Sequence, residues 1–148
     1  MEFSIISEMF EMMEKTTKRI ELTNILVELL KKTPKKIIPN VVYLLQGIIR
    51  PNFEGVELGI AEKLAIRAIS KSAGLPIKKI EDDYRDGGDL GITASNILKI
   101  KTQTTFTAEK ITVERVYETL FKIAKLEGKG SQDLKMKYIS SLLNDATP

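Results

Sequence analysis

The 148-residue sequence is 43% hydrophobic and 29% charged, with a formal net charge of +3; this is enough for one domain with a real core and too little for several. Cysteine, histidine and tryptophan are all absent, which excludes disulfides, thiol nucleophiles, Cys/His zinc sites and histidine acid–base chemistry. The mildly basic balance permits a nucleic-acid partner without demanding one. No apolar run approaches the roughly 20 residues that span a bilayer, and acidic Glu2 stands where a signal peptide would be basic, so a soluble intracellular monomer is expected. Missing cysteine beside abundant charge also suits a thermophile.

In chain order, Phe3, Ile6, Phe10 and Met13, then Ile25, Leu26, Leu29 and Leu30, recur at helical spacing and predict two amphipathic helices before Thr33-Pro34. Pro39 opens a third helix carrying Val42, Leu45 and Ile49, which should stop near Arg50-Pro51-Asn52 because the residue before a proline avoids helical geometry. From Gly59, a fourth places Ile60, Leu64, Ala68 and Ile69 on one stripe until Gly74 and Pro76 end it. Pro76 starts a short fifth helix with Ile77, Ile80 and Tyr84 inward, closed by Gly87-Gly88, and Asp89 caps a sixth over Leu90 to Leu98.

Residues 97–107 read as extended or loop, since Thr102, Thr104 and Thr105 are β-branched and Leu98-Lys99-Ile100-Lys101 alternates with period two. Thr112 caps a helix bearing Val113, Val116, Tyr117, Leu120, Phe121 and Ala124, and the last helix turns Leu134, Tyr138, Ile139, Leu142 and Leu143 inward. With no fixed-period repeat and no low-complexity linker, the expectation is one all-α domain over 1–148, an irregular multi-helix body with short Gly/Pro turns and one extended loop.

The junction Leu126-Glu127-Gly128-Lys129-Gly130-Ser131-Gln132-Asp133-Leu134-Lys135 carries the chemistry. Gly128 and Gly130 let another backbone approach, Ser131 is placed as an N-cap whose helix presents its positive end, and Lys129 and Lys135 add charge, an arrangement suited to phosphate. An ordinary glycine-terminated helix followed by a capped one has the same signature. Two basic groups, one from Lys15 to Lys36 and one from Lys122 to Lys137, read first as solvated helix faces. Glu81, Asp82, Asp83, Asp86 and Asp89 lack the alternating carboxylates of a calcium loop, so no metal is expected. Arg50, beside a proline turn, is a further phosphate candidate.

Three blocks occur in order: Leu58-Gly59-Ile60-Ala61-Glu62-Lys63, Gly88-Asp89-Leu90-Gly91 and Gly130-Ser131-Gln132 followed by Lys135. Together they resemble the N-terminal DNA-binding domain of archaeal and eukaryotic ATP-dependent DNA ligases, over nearly the whole chain. The resemblance implies sequence-independent binding of nicked duplex DNA in replication and repair, through Gly59, Lys63, Gly88, Gly91, Gly128, Gly130, Ser131, Gln132 and Lys135, to which the residue reading adds Lys129. It implies ATP and Mg²⁺ as cofactors of the intact ligase. No catalytic residue is expected here: the Lys-x-Asp-Gly nucleophile motif is missing, and Tyr84-Arg85-Asp86-Gly87 offers a phenol in a turn where an activated amine is needed. In the resembled family the helical domain continues further, so a truncated fragment with exposed apolar residues on its last helix is expected.

Gln103-Thr104-Thr105-Phe106-Thr107 resembles the Gln-x-x-aromatic motif with which archaeal ligases bind the sliding clamp PCNA, although Thr107 stands where a second aromatic is common. The alternative function is therefore a helical module docking on a clamp through Gln103 and Phe106 without touching DNA.

Overall fold

Proline and glycine set the boundaries of α3 and α5 at both ends, the end of α4 and the start of α8. The computed structural model describes residues 1–100 and 109–146; among these are eight α-helices, two 3-10 turns, no strand and a single antiparallel bridge between Glu2 and Thr112. The fold is all-α, as expected, and its packing divides into two compact units, Met1–Leu58 with Lys110–Ala124, and Gly59–Glu109 with Lys125–Pro148.

The first unit holds α1 (Phe3–Glu14), α2 (Arg19–Lys32), α3 (Ile38–Leu45) and α7 (Val113–Ala124). Its core gathers Ile6, Leu29, Ile37, Val41 and Val113, with Phe3, Phe10 and Met13 packed around them. Pro39 sits in the first turn of α3, where its missing N–H costs nothing. That helix stops earlier than the proline at 51 suggested: Gly47 turns left-handed (φ 69°), its N–H donates to Leu44 O and the Ile48 N–H returns to Tyr43 O, both at 3.0 Å. This Schellman closure satisfies the last carbonyls before Arg50 is reached. Thr112 caps α7 as expected, its hydroxyl accepting from the Arg115 N–H at 3.1 Å. Tyr117 donates its buried hydroxyl to Ile49 O at 2.6 Å.

In the second unit are α4 (Glu62–Ala73), α5 (Ile77–Gly87), α6 (Leu90–Lys99) and α8 (Ser131–Asp145). Ile66, Ile69, Ala73, Ile80 and Ile97 form its core, with Leu75, Tyr84, Leu90 and Leu143 against them. Gly74 and Gly88 end α4 and α5 in left-handed conformations. The string Tyr84–Gly87 is the last turn of helix α5, not a free turn.

Helix α6 continues through Lys99, burying Ile97 and Leu98; the start of the expected extended stretch is thus helical, because those two side chains belong to the core. The remainder, including Gln103 and Phe106, falls at 101–108, outside the described residues.

Helix α8 is rotated from its expected setting. Ser140 is buried and donates to Ala68 O at 3.1 Å, and the buried Ser72 hydroxyl donates to Asn144 Oδ1 at 2.8 Å, whereas Leu134 is 46% exposed. These polar ties, more than the leucine stripe, decide which flank of α8 meets α4. The pairs 68 with 140 and 72 with 144 advance together, so α4 and α8 run parallel.

Two isoleucines of α5 test this packing. Ile80 is fully buried and Ile77 is 44% exposed, although both were expected inward. Ile80→Ala should cost about 2–5 kcal/mol in urea unfolding, and Ile77→Ala should stay within about 0.5 kcal/mol of the parent.

Candidate nucleic-acid interface

Helix direction places the sequence blocks. Because α4 and α8 are parallel, residues Gly59 to Lys63 of the first block, ahead of α4, and the Gly128–Lys135 block around the start of α8 lie at one end of the second unit. A contact joins them: Lys135 Nζ lies 3.4 Å from Gly59 O. After the tight connection through Leu75, α5 returns along α4 and brings the Tyr84 hydroxyl to within 3.1 Å of Glu62 Oε2 at the start of α4. The Gly88–Gly91 block, which follows α5 directly and opens α6, therefore belongs to the same end. Three helix N-termini and all three blocks converge there.

The starts of the helices differ chemically. Helix α4 begins after Ala61 and α8 after Gly130, and neither first turn has a side-chain cap. Gly130, at φ 85°, is itself the cap residue, and Ser131 is the first residue of the helix. The expected Ser131 cap is thus displaced by one position, since only glycine takes that left-handed conformation without strain. Helix α6 is capped as expected: the Ile92 N–H donates to Asp89 Oδ1 at 2.8 Å, leaving α6 with one fewer donor to offer a ligand. Uncapped first turns expose N–H groups and the positive end of the helix dipole, a ready setting for an anion.

Around these ends, Lys63, Gly88, Gly91, Gly128, Lys129, Gly130 and Gln132 are exposed and Ser131 is partly so. Lys135 is only 6% exposed, so it does not stand among the outward charges. Arg67 was overlooked in the sequence: it follows Lys63 by four residues, one helical turn, on the exposed side of α4, and reaches Asp133 Oδ1 of α8 at 3.7 Å. That spacing was the available signal. Arg50 lies in the first unit, where its Nε donates to Glu54 Oε2 at 2.9 Å and its guanidinium lies 5.5 Å from the Phe121 ring centroid.

Carboxylates share this end with the donors. Glu62 and Asp133 sit in the first turns of α4 and α8, where each favours its own helix dipole. Of the acidic cluster, Asp82 pairs with Arg85 at 2.6 Å, Asp83 with Lys79 at 3.8 Å, and Asp89 is the cap. The hydrogen bond to Glu62, followed by that carboxylate's charge, raises the Tyr84 phenol above its ordinary pKa.

Residues 2–148 match the family model described as DNA ligase N terminus. The chain is 73% identical, over its whole length, to a DNA ligase of Nitrosopumilus maritimus, and 63% identical, again throughout, to one of Cenarchaeum symbiosum. A DNA ligase 2 of Thermofilum pendens is 42% identical over 99% of the chain. The chain spans about a quarter of the length of these relatives, 25% of the first two and 26% of the third.

The Tyr84–Glu62 bond gives a pH prediction. A phenol whose folded pKa is raised adds stability that is fully present below its unfolded pKa and is lost as pH rises through the folded value. In a spectroscopic titration, Tyr84, identified by loss of its signal in Tyr84→Phe, should ionise above the ordinary value of about 10. Glu62→Gln should bring it back down.

Proposed function

The chain belongs to the DNA ligase N-terminus family, and from that premise we propose that it is a duplex-DNA-binding module that holds backbone phosphates on the end of the second unit where α4, α6 and α8 begin. Phosphate oxygens would accept from the uncapped first-turn N–H groups of α4 and α8, while Lys63, Lys129 and Gln132 reach outward beside them. The observation that carries this reading is the parallel pairing of α4 and α8, which sets two uncapped helix starts side by side. Gly88 and Gly91, next to them, leave room for a sugar–phosphate strand to pass close to α6.

These contacts read no bases, which suits an enzyme that must act wherever a backbone is broken. The preferred substrate in this reading is nicked duplex, with ATP and Mg²⁺ used elsewhere in a complete ligase. The chain carries no Lys-x-Asp-Gly string, the motif whose lysine would take the adenylyl group in this reading. The module binds and positions, and other parts of a ligase would carry out the reaction. Carboxylates at the helix starts temper the attraction, so affinity should rest on several modest phosphate contacts.

Fluorescence anisotropy with a labelled nicked duplex, across a salt series, tests the proposal. The logarithm of the binding constant should fall linearly with the logarithm of salt concentration, with the same slope on duplexes of unrelated sequence. Lys129→Ala should reduce the magnitude of that slope by about 0.9, the value for one released phosphate contact. Salt-insensitive binding, or a strong preference for one sequence, would sink the phosphate reading.

A further inference from the structure

Lys135 is the one charged residue in the buried class among the described residues, at 6% exposure. Taking an ammonium out of water is costly unless its donors are satisfied. Its Nζ lies 3.4 Å from the carbonyl oxygen of Gly59, at the turn that leads into α4. The turn accommodates this approach because residue 59 is glycine: its φ is +57°, and a Cβ there would stand 2.8 Å from the Lys135 Nζ. Lys135 itself lies one turn inside α8. The first and third sequence blocks thus meet in one contact, an ammonium from one filling the space that the missing side chain of the other leaves.

We infer that Lys135 is a positioning residue and not a phosphate ligand: its ammonium ties the Gly59 turn to α8 and so holds the starts of α4 and α8 in fixed register. This rests on the duplex-binding reading. The division of labour follows from exposure. Lys63 and Lys129 are exposed and neutralise phosphate, whereas Lys135 spends its donors inside the protein. Two helix starts that must face successive phosphates of one strand lose affinity when their relative placement loosens, even with every outward charge kept. Lysine at 135 thus holds the turn that glycine at 59, with its positive φ, makes possible.

Acetylation of lysines in the native chain by an N-hydroxysuccinimide ester, read peptide by peptide by mass spectrometry with and without nicked duplex, tests this without any substitution. Lys129 should react rapidly in the free chain and be slowed by duplex. Lys135 should react at least about tenfold more slowly in the free chain and be indifferent to duplex, as expected for a buried amine. A Lys135 that reacts as fast as Lys129 and is protected by DNA would overturn the inference. Duplex that slows no lysine would instead overturn the binding reading beneath it, and the positioning role with it, so the two failures are distinct.

A second arm uses Lys135→Met, which keeps the length of the stem and removes the charge. On the folded fraction, duplex affinity should fall about tenfold with the salt slope unchanged, the signature of lost placement with every outward phosphate contact kept. A slope reduced by about 0.9 would make Lys135 a phosphate ligand after all. If Lys135→Met does not fold, the acetylation rates of the native chain decide.

Discussion

The parallel pairing of α4 with α8 is the constraint on which the candidate site depends. Helices close in sequence usually meet antiparallel, because short connections turn back, as α4 and α5 do here. Helix α8 comes from much later in the chain and runs along α4 in the same direction, which puts two positive dipole ends together. Like dipoles side by side repel weakly, and the pairing needs specific attachment. Ser140 on Ala68 O, Ser72 on Asn144 and Lys135 on Gly59 O supply it at three levels along the pair. Polar bonds of this kind add little net energy but favour one register, since a shifted packing would break all three at once.

That arrangement stores an electrostatic tension which a ligand could relieve. First-turn carboxylates Glu62 and Asp133 answer the dipoles of α4 and α8 in the free chain, and both are themselves engaged, Glu62 by Tyr84 and Asp133 by Arg67.

The sequence revealed punctuation better than orientation. Gly74, Gly88, Asp89 and Thr112 mark their boundaries by backbone preference or capping chemistry, which are local and therefore readable. Gly47 was readable in principle, but the proline at 51 gave a louder signal and drew the expected end of α3 too late. At Gly130-Ser131 two neighbouring residues both suit a cap, and only the backbone angle shows that glycine takes the role. The burial of Lys135 and the exposure of Leu134 ran against hydropathy, because the flank of α8 that faces inward is chosen by polar partners on α4, far away in sequence. Each packing unit also draws on two separate stretches of chain, so no linker composition marks the division. The candidate site was legible only as three blocks in order, while their meeting at one end required the direction of α8.

Backbone amide chemical-shift mapping during titration with nicked duplex tests the central claim most directly. Perturbations should concentrate at 59–63, 88–92 and 128–134, the lead-ins and first turns of α4, α6 and α8, and spare the opposite end of the second unit around Gly74, Leu75 and Asn144. Perturbations confined to that opposite end, or to the first unit alone, would contradict the claim that the helix starts form the DNA-binding face.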